Sequence, residues 1–300
     1  MRNRLYTSVE AILLGTAQDG GLPQAGCDCD NCRQARSDPA KRQWVVCLGL
    51  VDHAARQSWL IDATPDFREQ VHALHEHAPD CPLAGILLTH AHIGHYAGLI
   101  HLGRESWNTR GLPLYASARM AGFLQANAPW SQLVALGNIH LHVLTPHREL
   151  QLSLGLSLTP LSVPHRDEYS DTLAFVARGT VQGDAKSYGR QLFYCPDIDA
   201  WDQWDRDLTK FVSGMDVALL DGTFFSGQEL PGRDISQIPH PLATDTAERL
   251  AGVDCDVRLI HLNHTNPLSQ AGAERDWLAA RGLGVGALGA HWRLGQSGAR

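Results

Sequence analysis

The stretch Leu87-Leu88-Thr89-His90-Ala91-His92-Ile93-Gly94-His95 constrains this chain more than any other. Three imidazoles follow directly on the apolar run Gly85 to Leu88, which reads as a buried strand. Neutral imidazole nitrogen ligates zinc and related divalent ions, and a rigid strand end can hold several such nitrogens around one point. Chance crowding competes with that reading, because the chain carries 16 histidines. Against chance stands the recurrence of ligand-type residues where later apolar runs end: His165 after Leu161-Ser162-Val163-Pro164, Asp197 after Phe193-Tyr194-Cys195-Pro196, and His261 and His264 in Leu259-Ile260-His261-Leu262-Asn263-His264. Each alone reads as a satisfied polar group. Together, as H-x-H-x-x-H, His, Asp and His, they read as a metal centre.

The seven cysteines add a second signal. An odd number in a long chain argues against a secreted disulfide framework. Cys27, Cys29 and Cys32 form C-x-C-x-x-C in a glycine-rich loop, a spacing that lets three thiolates converge on a structural zinc with a fourth ligand from elsewhere. The competing interpretation is a surface loop of free thiols. Cys47, Cys81, Cys195 and Cys255 are isolated and read as small packing side chains.

Short β-branched-rich runs recur at Val9 to Leu14, Trp44 to Val51, Trp59 to Ile61, Leu112 to Tyr115, Ile139 to Leu144, Leu154 to Val163, Thr172 to Val176, Gln191 to Cys195, Val217 to Leu220 and Val257 to Leu262. Helical spacing appears over Phe67 to His77, Ser117 to Ala126, Thr244 to Leu250 and Gln270 to Ala280. The pattern predicts an α/β chain of stacked sheet and helix layers, one domain over residues 1–300 with the cysteine loop near 27–32, and no internal repeat. Gly15-Thr16-Ala17-Gln18-Asp19-Gly20-Gly21 follows a strand but lacks the Gly-Lys-Ser/Thr ending of a phosphate-binding P-loop.

Composition excludes several classes of partner. Lys+Arg (25) are outnumbered by Asp+Glu (32), for a net charge of −7, which disfavours nucleic acid. No apolar run reaches the roughly 18 residues of a membrane span, and Met1-Arg2-Asn3-Arg4 followed by a stretch broken at Glu10 is a poor signal peptide. The expectation is a cytoplasmic protein with a small-molecule substrate and no nucleic-acid or membrane partner; the sequence leaves the oligomeric state open, a homodimer included.

The order of these motifs resembles the metallo-β-lactamase superfamily, with its T-H-x-H-x-D-H motif and distant His, Asp and His. Within it the chain resembles the pyrroloquinoline quinone (PQQ) biosynthesis protein B family, through Gly-Gly-Leu-Pro-Gln, C-x-C-x-x-C, Thr64-Pro65-Asp66-Phe67-Arg68, Asp221-Gly222-Thr223-Phe224 and His261-Leu262-Asn263-His264-Thr265-Asn266-Pro267. The phosphodiesterase of the carbon–phosphorus lyase pathway is similar at the cysteine cluster. The resemblance implies a four-layer αβ/βα sandwich over nearly the whole chain. It implies that His90, His92 and His165 hold a first ion, that Asp197 bridges to a second held by His95 and His261, and that His264 completes a zinc site with Cys27, Cys29 and Cys32. Three residues separate His261 from His264, so an exchange of their jobs stays open. Asp62 is implied as structural support. Asp221, after the run Val217 to Leu220, reads either as support near the metal or as the cap of a turn.

Gly94 departs from the pattern, standing where the superfamily's hydrolases place an aspartate. The second ion then loses a carboxylate and its affinity should fall. The family resembled most generally lacks the first histidines and keeps the Asp-His pair, the reverse of this chain, so its chemistry does not transfer directly.

The resemblance implies a metal-dependent hydrolase that attacks a small ester or phosphodiester through metal-bound hydroxide. A structural zinc and one or two divalent ions (Zn, Mn or Fe) would be its cofactors. Asp197 would orient water and His240 would supply the proton, with Asp167 and Glu168 as alternatives. Arg68, Arg166 and Arg233 are candidates for gripping an anionic substrate. The alternatives are a metal-dependent oxygenase or hydroxylase in PQQ biosynthesis, and a non-catalytic binding or carrier protein.

Overall fold

Alternation within the apolar runs decides which way each strand faces. In β1 (Val9–Gly15), Ala11 and Leu13 enter one core while Ile12 and Leu14 enter another, the period of two that a strand imposes. In β10 (Tyr188–Cys195), Leu192 and Tyr194 share that first core, and Phe193 and Cys195 enter a third. Strands buried on both faces require covering layers on both sides.

The computed structural model describes residues 9–180, 188–230 and 238–295. Among these residues the strands form two seven-stranded sheets. The first contains β1, β2 (Cys47–Asp52), β3 (Gln57–Ile61), β4 (Leu83–Leu87), β5 (Leu112–Ala116), β6 (Ile139–Val143) and β14 (His291–Arg293), in the order β14-β1-β2-β3-β4-β5-β6. The second contains β7 (Leu150–Gln151), β8 (Leu156–Val163), β9 (Thr172–Thr180), β10, β11 (Val217–Asp221), β12 (Asp256–Ile260) and β13 (Gly284–Val285), in the order β13-β12-β11-β10-β9-β8-β7. In the first sheet β14 to β3 pair antiparallel and β3 to β6 parallel. The second repeats this, with β7 to β10 antiparallel and β10 to β13 parallel. The two halves thus share a strand pattern that left no visible repeat in the sequence.

Leu48, Leu50, Trp59, Ile61, Phe175 and Tyr194 fill the space between the sheets. Helices α2 (Phe67–His77), α4 (Ala118–Ala126) and α5 (Trp130–Ala135) cover the outer face of the first sheet through Phe67, Leu74, Met120, Leu124 and Leu133. Helices α6 (Leu208–Val212), α7 (Ala243–Arg249) and α8 (Ala273–Ala279) cover the second through Leu208, Val212, Ala247 and Leu278. The result is the four-layer α/β/β/α sandwich. Among the described residues no helix is long and apolar enough to cross a membrane.

One strand ends earlier than its apolar run predicts. β12 stops at Ile260 because His261 adopts a φ of 60°. Asp62, directly after β3, has a φ of 74°. Left-handed backbone at a non-glycine residue costs about 1–3 kcal/mol and persists only where the surroundings enforce it. Both residues lie at the same end of the sandwich, where the polar residues converge.

Candidate metal centre

His90 and His92 sit in the turn after β4, and His95 in the short helix α3 (Ile93–Tyr96) that follows. His165 comes just after β8, Asp197 after β10 and His261 after β12. Strand ends from both sheets thereby bring six side chains together. His90, His92 and His165 form one group whose ligand atoms lie within 4.8 Å of one another. His165 Nε2 is 3.1 Å from His92 Nδ1 and 3.6 Å from Asp197 Oδ1. On the other side, Asp197 Oδ2 is 3.0 Å from His95 Nε2, 3.3 Å from His261 Nε2 and 4.0 Å from His90 Nε2. Ligands on a tetrahedral ion at bond lengths of about 2.1 Å stand roughly 3.4 Å apart. The Asp197 carboxylate therefore lies between two sets of imidazoles at separations suited to a bridge.

Hydrogen bonds on the far side of each ring fix which nitrogen faces the cluster. His95 Nδ1 is 2.7 Å from Asp62 Oδ2, and Asp62 Oδ1 also accepts from the backbone N–H of Thr89 at 2.8 Å. His165 Nδ1 is 2.9 Å from Asp199 Oδ1, and His261 Nδ1 is 2.8 Å from Thr223 Oγ1. His90 Nδ1 is 3.0 Å from Thr89 Oγ1. Such outer partners orient imidazoles for metal binding.

Five of the inward atoms, Asp19 Oδ1, His90 Nε2, His95 Nε2, Asp197 Oδ2 and His261 Nε2, are buried and make no hydrogen bond. A buried polar atom without a partner costs about 1–3 kcal/mol, and a divalent cation would satisfy the whole group. The charges agree. Burial holds the His90 pKa well below its ordinary value, and burial with the neighbouring His165 brings His92 to about 4, so both rings are neutral at neutral pH, the form a metal requires. Burial also works against ionisation at His95 and Asp197. For His95 the charge of Asp62 and the nearness of the Asp19 and Asp197 carboxylates prevail and raise its pKa well above the usual value. For Asp197 the charge of His261 and contact with His95 prevail and hold its pKa well below the usual one. Several carboxylates around one buried imidazole call for positive charge at that point.

Residues 58–264 match the family model described as the beta-lactamase superfamily domain. The chain belongs to the metallo-β-lactamase superfamily. Coenzyme PQQ synthesis protein B of Ruegeria pomeroyi is 30% identical over 296 residues, spanning 92% of this chain and 97% of that protein. Zn(2+)-bound PqqB from Methylobacterium extorquens superposes with a TM-score of 0.77 at 23% identity, covering 95% of this chain and 100% of the other. A diphosphatase from the PhnP family superposes with a TM-score of 0.65 at 21% identity, covering 96% and 99%. These structural likenesses carry the fold.

Within the superfamily's motif, the expectation of a carboxylate missing at Gly94 needs correction. The space beside Gly94 is taken by Asp19, from the glycine-rich segment considered as a phosphate loop. A Cβ at position 94 would stand 2.7 Å from the Asp19 Cα and 2.8 Å from its Cγ. Asp19 Oδ1 lies 3.3 Å from His95 Nε2 and 4.0 Å from His261 Nε2. The negative charge is present, brought in from another part of the chain.

His240 is buried beside the cluster, its Nδ1 2.7 Å from Asp221 Oδ2 and 3.9 Å from Asp197 Oδ1. Burial opposes its protonation, but the charge and hydrogen bond of Asp221 prevail and raise its pKa. Asp221 also accepts from Thr223 N–H at 2.9 Å and from Ile198 N–H at 3.1 Å, so it is locked on every side.

A second cluster joins distant parts of the sequence. His264 Nδ1 is 3.4 Å from the sulfurs of both Cys27 and Cys29 and 3.7 Å from that of Cys32. Zn–S bonds of about 2.3 Å and Zn–N bonds of about 2.1 Å place such atoms roughly 3.6 Å apart. His264 thus faces the thiols while His261 faces Asp197, which separates the two roles that spacing left open. Burial pushes the Cys32 thiol up to about 12, so a nearby cation is needed to hold it as thiolate.

The remaining candidates divide. Arg166 Nε is buried without a partner, and its backbone N–H donates to Asp199 Oδ1 at 3.3 Å, placing it next to His165. Glu168 Oε2 lies 3.4 Å from His92 Nε2. Asp167 is turned outward to pair with Arg119 at 3.0 Å. Arg68 is largely exposed, pairs with Glu69 at 3.3 Å and lines a groove with Asp19, Arg42 and Asp66. Arg233 lies outside the described residues. The sequence reading missed Asp19, Asp199 and Thr223, none of which stands in a ligand-type motif. For Asp19 the available signal was the pairing of a motif glycine with an unexplained acid in an early loop.

Proposed function

We propose that this chain is a metal-dependent hydrolase of small esters or phosphodiesters. The observation that carries this is the Asp197 carboxylate standing between two groups of inward-facing imidazoles whose buried atoms have no other partner. His90, His92 and His165 would hold one ion, His95 and His261 a second, and Asp197 would bridge them. Bound divalent ions in such a centre supply Lewis acidity and lower the pKa of water toward roughly 7.

The chain's own residues supply the rest. Asp62, Asp199 and Thr223 hold the rings in one orientation, which removes reorganisation cost from the reaction. His240, fixed by Asp221, stands next to Asp197 and is placed to give a proton to a departing oxygen. Arg166, whose Nε has no hydrogen-bond partner and whose Nη1 lies 4.0 Å from Glu168, would bind an anionic oxygen of the substrate. Cys27, Cys29, Cys32 and His264 would hold a structural zinc.

The test is metal analysis of the purified protein together with turnover of chromogenic phosphodiesters and esters. Zinc or manganese beyond the thiolate equivalent, with turnover lost in His92→Ala, is the expected result. One zinc in the thiolate site and nothing bound by the histidines would sink the proposal. Likeness to coenzyme PQQ synthesis protein B favours a second reading, a part in PQQ biosynthesis, for which a metal-dependent oxygenase or hydroxylase is the activity to test. Iron in the histidine cluster with oxygen consumption would select it.

A further inference from the structure

The geometry points to Asp19 as a direct ligand of the second ion, replacing in space the aspartate that the superfamily motif lacks at Gly94. This rests on the two-ion reading above.

The replacement is written into the packing on both sides. At position 94 any side chain would collide with the Cα and Cγ of Asp19, so glycine is the condition for the loop's approach. At position 19 the Oδ1 atom is buried and makes no hydrogen bond. It faces His95 Nε2 at 3.3 Å and His261 Nε2 at 4.0 Å, two atoms that are themselves buried and unpartnered, on side chains at most 1% exposed. Asp19, His95 and His261 present ligand atoms within 4.8 Å of one another, and Asp197 Oδ2 closes the set.

The loop is held where this requires it to be. Gln18 N–H donates to the Leu262 carbonyl at 2.9 Å, and Leu262 N–H donates back to the Thr16 carbonyl at 2.9 Å. The backbone just before Asp19 is thereby joined to the backbone just after His261. Gly21 N–H closes a turn onto the Gln18 carbonyl at 2.7 Å. Asp19 thus reaches the cluster on a fixed turn.

Charge follows. With Asp19 and Asp197 as carboxylates and His95 and His261 as neutral imidazoles, the second set carries two negative charges against a divalent cation. The second ion is then as well compensated as in a chain with the motif aspartate, and the weak second site expected from Gly94 disappears.

The experiment is metal titration of the full chain after stripping, with Zn(II) against a chromophoric chelator and with Co(II) followed by its visible absorption. The native protein is expected to take three equivalents, one thiolate and two at the histidines. In Asp19→Asn and Asp19→Ala, one histidine equivalent should weaken about a hundredfold or more, at or beyond the upper range for losing an outer partner. The thiolate equivalent and the other histidine equivalent should not change. Gly94→Ala keeps every ligand but displaces the loop, and should weaken the same equivalent. Native affinity for all three equivalents in both Asp19 variants overturns the inference and leaves the two-ion proposal standing. A native protein that takes only one histidine equivalent overturns both.

Discussion

Replacing Asp62 by asparagine separates the support of the metal cluster from the support of the fold. Asp62 is fully buried and receives three donors: the Thr89 N–H at 2.8 Å, the Thr89 hydroxyl at 2.9 Å and His95 Nδ1 at 2.7 Å. Asparagine keeps one acceptor oxygen, which can stay on Thr89, and its amide group then faces His95 Nδ1. A donor at that place forces the His95 proton onto Nε2, the nitrogen aimed at Asp197, and removes the lone pair an ion needs. Restoring it costs the charge-assisted hydrogen bond, about 1.5–3 kcal/mol, or roughly 10- to 150-fold in affinity for the second ion. Asparagine also accepts left-handed backbone, so the φ of 74° is tolerated and the urea midpoint should move little. Asp62→Ala differs: three buried donors lose their acceptor at about 1 kcal/mol or more each, and a loss of about 3 kcal/mol or more should appear in denaturation. The assays are metal titration and urea unfolding, run on both variants. An Asp62→Asn protein that folds normally and binds its second histidine equivalent with native affinity would refute the assignment of His95 Nε2 as a ligand.

Three further outcomes follow from the geometry. His240→Ala should leave metal content unchanged and lower turnover of substrates with an alkoxide leaving group about 10²- to 10⁴-fold. Nitrophenyl substrates, whose leaving group departs unprotonated, should change little, and equal losses on both would remove the proton-donor role. Cys29→Ser should lose one zinc equivalent. Because the cluster joins Cys29 to His264 across 235 residues, it should also cost about 2–4 kcal/mol by analogy with other long-range cross-links, read as a melting temperature lower by about 5–10 °C. Gly98→Ala tests the packing of the segment after α3: a Cβ there would stand 2.6 Å from the Phe67 Cβ and 2.9 Å from the Ala63 carbonyl oxygen. It should destabilise by about 1–3 kcal/mol, and an unchanged urea midpoint would show that the contact is looser.

Much of this architecture was legible because its long elements carry a clear period. Phe67 to His77 was read as a helix and is one with those bounds, and the apolar runs at Val9, Leu112, Thr172 and Val217 each begin a strand. The elements that escaped, α1 (Asp30–Ser37), α5, α6, β7, β13 and β14, have two to eight residues, too few for either period to stand out. The cluster at the strand ends was legible in its histidines because strand ends are linear signals. Asp19 was not, because the contact between positions 19 and 94 is created only when the loop folds onto β12, and no local pattern records it. His261 marks the same limit: an apolar run continues through Leu262, yet the strand stops at Ile260 where the backbone turns to aim a ring.

The origin of the six clustered side chains has a mechanical consequence. His90, His92 and His95 are carried by the first sheet, and His165, Asp197 and His261 by the second. An ion held between them would be a keystone set between two slabs that meet mainly through apolar contact, which resists separation far better than sliding, and through a few hydrogen bonds such as Leu173 N–H to the Thr89 carbonyl at 3.0 Å. Sliding of the sheets by an ångström would alter several ligand distances at once, so packing changes at remote interior positions such as Trp59 or Phe175 should be felt as altered metal retention. By thermodynamic reciprocity, loading the centre should stiffen the seam between the sheets along its whole length.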